Sequence, residues 1–309
     1  MRSAFIAALA RACEAEPDLL LVTGDLGFGV LNDFRARFPD HFMNLGVAEQ
    51  NLAGVGAGLA LAGHTVFTYS IANFPILRCL EQIRNDICYH DADVKIVAVG
   101  GGLAYGALGP SHFATEDLGI MRMLPGMTVV APGDPVEVEL LVPQLIARLG
   151  PAYLRLGRDG EPRLTPPGRP VTLGEPNVFA EDGEALLLTT GGMLEVGLAA
   201  GEILRGEHGV ETALASVHTL KPLAEERLCA LAAGRACVVT LEEHSVLGGL
   251  GGAVAELLAE RRVDVPLARV GLASEFPQAV GSQEHLRGVL GLDAPSVARR
   301  VLATLRGHG

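Results

Sequence analysis

The sequence predicts an α/β protein of two domains, each a mostly parallel sheet flanked by helices, and three observations carry that prediction. Short apolar runs of buried-strand type alternate with stretches of helical periodicity along the chain. The segment RDGEPRLTPPGRPVTLGEP, Arg158 to Pro176, is dense in Pro and Gly, lacks apolar periodicity and divides the pattern in two. The length of 309 residues suits two domains at roughly 150 residues each. The expected domains are residues 1–165 and 166–309.

The elements follow in order. A helix over Ser3 to Glu16 leads into LLLVTG, a buried strand ending at Gly24 and Asp25. The stretch NLGVAEQNLAGVGAGLALAG, Asn44 to Gly63, reads as a helix with one acid, Glu49, at its head. Gly54, Gly56 and Gly58 each cost such a helix about 1 kcal/mol relative to Ala, so close backbone approach to a partner surface is expected to offset the loss. Next come a strand at HTVFTYS, a helix through ILRCLEQIRNDICY and a strand at VKIVAVGGG. The loop LAYGALGPSH precedes a helix at ATEDLGIMRML, and MTVVAP and PAYLRLG are strands with the helix VEVELLVPQLIARL between them. After the divide, strands at ALLLTTG, ETALASV, ACVVTLEE and LARVGL alternate with helices at LEVGLAAGEILRG, AEERLCALAAG and GGAVAELLAERR.

Composition excludes several classes. Apolar residues at 49% and charged ones at 19% make a globular chain. A net charge of -12 without a Lys/Arg block argues against a nucleic-acid partner. The uncharged run from Leu52 to Gly63 is only 12 residues, short of the roughly 20 that span a bilayer. The apolar N-terminal run is followed by acids and Pro17, which reads as an amphipathic helix of a cytoplasmic protein rather than a secretion signal. Five scattered cysteines, without CxxC spacing, suggest free thiols rather than a disulfide or zinc framework.

Ligands of open parallel sheets gather at strand carboxyl ends, so the loops Gly24–Gly27, Tyr69–Phe74 and Gly100–His112 are the candidate site, with Glu49 beside them. Leu45, Val47, Ala48 and Leu52 around Glu49 would desolvate it and favour a protonated acid. The plainer reading is a first-turn acid stabilised by the helix dipole, and spacing alone favours that one. His112, at the head of a helix, reads rather as a capping or packing imidazole than as a functional one when taken alone. Gly100–Gly102 lacks the phosphate-loop patterns, so a tight turn is the simpler reading. SVLGGLGGAVAELL puts glycines at a helix N-terminus, but nothing charged or catalytic converges on it beyond Glu242, Glu243 and His244, so a packing turn is the simpler reading there.

The blocks NLGVAEQNLAGVGAGLALAG, TYSIANFPILRCLEQIRND, GALGPSHFATEDLGIMRMLPGMTVVAPGD and PAYLRLGR, in this order and spacing, resemble the C-terminal half of transketolase, of the split type in which that half is a separate subunit. Residues 1–165 resemble the pyrimidine-binding domain, and residues 166–309 the family's C-terminal domain on mainly topological grounds. The resemblance implies a thiamine diphosphate enzyme that transfers a two-carbon ketol unit from a ketose to an aldehyde. It gives Glu49 the aminopyrimidine nitrogen as partner, gives Phe74 the stacking on that ring, and lines the cofactor with Asp25, Leu26 and Val47. It makes His112 a substrate-contacting residue with a part in catalysis, and Arg2 and Arg158 binders of the sugar phosphate.

Departures narrow what is implied. Leu108 replaces an Asp that reads a substrate hydroxyl, Gly100 a phosphate-binding His, and Gly29 a Ser that aids the phosphate. A less hydroxylated or non-phosphorylated acceptor is therefore expected. The family's GDG followed by Asn, which holds the diphosphate and Mg2+, does not occur: Asp159-Gly160 and Asp182-Gly183 follow Arg158 and Glu181. The motif and the metal are then expected on an N-terminal transketolase-like partner subunit, in an α2β2 heterotetramer, with no metal ligands on this chain. The β subunit of a 2-oxoacid dehydrogenase, or a decarboxylase-type thiamine diphosphate enzyme, is the alternative; it shares the AEQ element but not the EQIRND and GPSHFATED segments. A non-catalytic subunit that keeps the fold as an assembly surface is the third reading, and Glu49 with Phe74 speaks against it.

Overall fold

The computed structural model describes residues 1–27 and 29–307. Twelve strands occur among them: β1 (Leu19–Thr23), β2 (Phe42–Asn44), β3 (Thr65–Ile71), β4 (Val94–Val99), β5 (Thr128–Val130), β6 (Ala152–Leu156), β7 (Asn177–Ala180), β8 (Ala185–Thr189), β9 (Thr212–Ser216), β10 (Thr219–Lys221), β11 (Cys237–Ser245) and β12 (Leu267–Leu272). They form a seven-stranded sheet in the order β10-β5-β6-β4-β3-β1-β2 and a five-stranded sheet in the order β12-β11-β8-β9-β7. All pairings are parallel except β10 on β5 and β7 on β9. Helices cover both faces, as parallel crossovers require. The mostly parallel two-sheet fold agrees with the sequence reading.

The central strands are continuous apolar runs because both their faces are buried, and every residue of β4 is inside. Lys95 of β4 is the exception in kind. Its ammonium is held by Asp93 and donates to the carbonyls of Arg148 and Gly150 at 2.7 Å each. Burial still pushes its pKa down.

Several elements differ from the sequence expectation, each for a local reason. The helix at the head of which Glu49 stands runs Glu49–Leu61, because Ala48 takes a non-helical φ of -149°. The expected single helix over residues 76–89 is broken into Phe74–Leu77, Leu80–Gln82 and a wide-wound π turn, Ile83–Cys88. Cys79 leaves helical geometry at φ -128°, ψ 27°, and this break lets Arg78 and Phe74 face the same side. The helix expected from Ala114 begins at Asp117, so His112 closes a 3-10 turn, Pro110–His112, rather than heading that helix.

The glycines of helix Glu49–Leu61 divide in use. A Cβ at Gly56 would stand 3.0 Å from Thr68 Cγ2, so this glycine does allow close packing on β3. Gly54 and Gly58 face open space within the chain.

Candidate active site

Strands β2, β1, β3, β4 and β6 run parallel, so their last residues, Asn44, Thr23, Ile71, Val99 and Leu156, lie along one edge of the sheet. The segments that follow carry Val47 and Glu49, Asp25 and Leu26, Phe74, His112, and Arg158 respectively. The chain order turns back at β1, which pairs β2 on one side and β3 on the other. Such a reversal opens the crevice where ligands of open α/β sheets bind.

Side chains on this edge form an unbroken line of contacts. Glu49 is 5% exposed, and its Oε2 accepts from Arg78 Nη1 at 3.0 Å. The same guanidinium lies over the Phe74 ring, with Cζ 4.1 Å from the centroid. Phe74 meets His112 edge-on, centroids 5.2 Å apart, and His112 meets Tyr105 at 6.5 Å. Arg158 Cζ stands 5.6 Å from the Tyr105 centroid. His112 Nδ1 is 3.0 Å from Ser111 Oγ, and Asn73 Nδ2 donates to the Ser111 carbonyl at 2.6 Å, which ties the two loops together.

On the loop after β1, Asp25 adopts a left-handed φ of 59°. Asn44 holds it there: Asn44 Oδ1 accepts the N–H of Asp25 at 2.9 Å and of Gly46 at 3.0 Å, while Nδ2 donates to Asp25 Oδ1 at 2.9 Å. Asn and Asp tolerate that conformation better than other side chains. Arg2 stands 3.7 Å from Asp159, which also accepts from Ser3 Oγ. Burial raises the Tyr69 phenol pKa against the opposing pull of the Arg2 charge.

One expectation about the acid needs correction. Glu49 is not enclosed by apolar groups alone, since Val47 is 74% exposed and a cation touches the carboxylate. The cation arrives because the helix break at Cys79 turns Arg78 back toward Glu49. Burial first, then the Glu49 charge, pushes the Cys79 thiol up to about 12, which favours its neutral form.

The geometry bears on whether an aminopyrimidine fits. Such a ring is flat, rich in nitrogen, and needs a face to stack on together with a carboxylate for its ring nitrogen. The Arg78 guanidinium is itself a flat nitrogen donor, stacked on Phe74 and bonded to Glu49. The two residues are thus spaced to serve one planar ligand at once. Among the described residues no group of three or more His, Cys, Asp and Glu is arranged to hold a metal ion, and no helix is long and apolar enough to cross a membrane.

The second glycine-rich segment is already satisfied from within. Glu242 accepts the N–H groups of Leu250 at 2.7 Å and Gly251 at 2.8 Å, so an internal carboxylate takes the N-terminus of helix Leu250–Arg261. It is a packing turn, as the sequence reading favoured.

Arg78, Tyr105 and Asn44 were not named from sequence. Tyr105 had a signal: Gly100 stands where a side chain was expected, and its Cβ would lie 2.1 Å from Tyr105 Cε2. The tyrosine ring fills that space. Arg78 and Asn44 had none, because their roles arise from a helix break and a turn.

Comparisons with known proteins give the family. Residues 1–161 match the family model of the transketolase pyrimidine binding domain, and residues 174–297 that of the transketolase C-terminal domain. The chain belongs to the transketolase family, whose members use thiamine diphosphate. It is similar to single subunits of split transketolases over nearly its whole length. The 6-deoxy-6-sulfo-D-fructose transketolase subunit SqwH of Clostridium sp. (strain MSTE9) is 35% identical over 300 residues, covering 97% of this chain and 92% of that one. A subunit of the apulose-4-phosphate transketolase of Phocaeicola vulgatus is 33% identical over 303 residues, covering 97% and 96%. A solved split-gene transketolase, an inactive β4 tetramer, superposes with a TM-score of 0.90 at 37% identity, covering 99% of this chain and 98% of that one.

Proposed function

We propose that this chain is the C-terminal subunit of a split transketolase that moves a two-carbon ketol unit from a ketose to an aldehyde. The observation that carries the reading is the shared approach of Glu49 and Phe74 to one planar nitrogen donor, at 3.0 Å and 4.1 Å. In this reading Glu49 bonds the aminopyrimidine ring nitrogen, Phe74 stacks on that ring, and Asp25, Leu26 and Val47 line it. Thiamine diphosphate, when bound, supplies an electron sink for the carbanion formed as a carbon–carbon bond breaks. His112, held by Phe74 and Tyr105, orients the substrate beside the reacting carbon and takes part in proton transfer. Arg2 and Arg158 attract its anionic end.

The diphosphate and Mg2+ belong, in this reading, to an N-terminal subunit with the GDG and Asn motif, two copies of each chain forming the active assembly. The solved relative composed of β subunits alone is an inactive tetramer, which supports that division. Helix Glu49–Leu61 offers its open glycine face, with Leu61 and the nearby Leu77 exposed, to that partner. Domain limits at residues 1–165 and 166–309 complete the reading.

Gly100, Leu108 and Gly29 remove groups that read an ordinary sugar phosphate, and Tyr105 closes the space at Gly100. Relatives named for a sulfofructose and for apulose 4-phosphate, both ketoses, support a specialised sugar substrate. Product analysis of the co-purified two-subunit complex, with a panel of ketoses and aldehydes, tests this. Ketol transfer that is lost in Glu49→Gln by at least about a hundredfold is expected, as for removal of a group acting on the reacting centre. Consumption of a 2-oxoacid with CO2 release, or ordinary rates with xylulose 5-phosphate and ribose 5-phosphate, would contradict the reading in its class or in its acceptor.

A further inference from the structure

We infer that the second domain sets the geometry of the substrate loop through Glu243, a positioning residue at the end of β11; the inference rests on the reading above, in which that loop carries His112. The loop from Leu103 to Phe113 leaves β4 and returns to an isolated bridge between Gly102 and Ala114. It contains Tyr105 and His112, so its shape fixes where both side chains stand.

Three successive residues of β11 divide their work. Glu242 turns inward and caps its own helix. Glu243 turns to the loop: its Oε1 accepts the Leu103 N–H at 2.5 Å and Gln283 Nε2 at 2.7 Å, and its Oε2 accepts Arg287 Nε at 2.6 Å. His244 Nε2 accepts the Gly119 N–H at 3.1 Å, beyond the loop's return. The Ser245 N–H then donates to the Thr115 carbonyl at 2.7 Å.

The first domain answers from the same place. Arg155 Nη2 donates to the carbonyls of Ala114 at 2.7 Å and Glu243 at 2.9 Å, while its Nε lies 2.9 Å from Asp117. Glu243 is 4% exposed, and a Cβ on Gly102 would sit 2.6 Å from its Oε1, so the carboxylate is seated against the loop's base. Nearer the loop tip, Gly106 leaves room for Leu286, and its carbonyl accepts the Gly281 N–H at 3.2 Å. A buried carboxylate with several donors around it is a stiff anchor, and loss of its charge-assisted bonds releases the one backbone amide it holds outside its own domain.

The test is hydrogen exchange on the full-length chain, followed by kinetics of the two-subunit complex. In Glu243→Gln, amides of the loop 103–112 exchange on the order of 10- to 100-fold faster, while those of β1, β3 and β8 keep their protection. In the complex, kcat/KM for ketol transfer falls by about tenfold or more, whereas calorimetric affinity for thiamine diphosphate stays within about twofold, since Glu49 and Phe74 stand on other loops. Arg287→Lys, which keeps a cation but loses the paired Nε and Nη2 contacts to Glu243 Oε2 at 2.6 Å each, gives a smaller effect of the same pattern and decides the matter where Glu243→Gln fails to fold. Faster exchange spread evenly through the second domain, an unchanged loop, or equal losses of cofactor affinity and turnover would overturn the inference. A wild-type complex without ketol transfer defeats the functional reading instead, and leaves the exchange result to judge the anchor alone.

Discussion

Arg78 occupies both contacts that the functional reading reserves for the aminopyrimidine, so a bound cofactor has to displace it. The guanidinium is half exposed, and such an ion pair with a cation–π contact is worth about 1 kcal/mol in total. Arg78→Ala is therefore expected to tighten thiamine diphosphate binding by the two-subunit complex about two- to tenfold, measured by calorimetry. Weaker binding would instead make Arg78 a direct cofactor ligand. Glu49 and Phe74 were singled out in the sequence through the blocks that resemble the family, and the structure brings both onto one guanidinium. Arg78 was not, since its position depends on Cys79 leaving helical geometry, and nothing in LRCLEQ announces that break.

Among the elements, the helix Pro135–Ala147 joins the domains through its first turn. Glu137 accepts from Gly133 N–H at 2.6 Å, from Asn177 at 2.9 Å on β7 and from Ser216 at 3.1 Å on β9. Burial nevertheless raises its pKa to about 7, so the fold binds a proton there that the unfolded chain gives up above about 4.5. Its contribution to stability is full below that value and is lost as pH rises to about 7, on the order of 3 kcal/mol. His218 behaves oppositely: burial lowers its pKa to about 4 from 6.5, so its contribution is lost as pH falls through that interval. The two slopes oppose each other where they overlap. Urea unfolding of Glu137→Gln and wild type at pH 5 and pH 8 should show the variant gaining, relative to wild type, on the order of 2 to 3 kcal/mol at the higher pH. An equal difference at both pH values would mean that Glu137 ionises as an ordinary carboxylate.

Element signals varied in the same way. The runs of β4 and β8 declared themselves because burial on both faces leaves only apolar side chains. The terminal helix Ala294–Leu305 also had a signal that the sequence reading passed over, with Asp293 as its cap and Val297, Ala298 and Val301 on one buried face. Strand β2 had none: three half-exposed or exposed residues form a strand only because β1 offers a free edge.

At the scale of the whole molecule the two domains are interlocked rather than strung together. Strand β10 leaves the second half of the chain to pair with β5 at the edge of the first sheet, a contact across some 90 positions that three residues of sequence do not reveal. The irregular stretch from Arg158 to Pro176 is a true connection, without helix or strand, but the Asp134 carboxylate accepts the Leu164 and Thr165 N–H groups at 2.7 Å and fastens it. Such a body presents a sheet edge that carries Glu49, Phe74 and His112, with an open glycine face beside it.

Calorimetric titration of thiamine diphosphate with Mg2+ into the isolated chain, and into its complex with the N-terminal subunit, tests most directly the claim that the site is divided. The account predicts no measurable binding by the chain alone and one cofactor per pair of subunits in the complex. Tight binding by the isolated chain would contradict it.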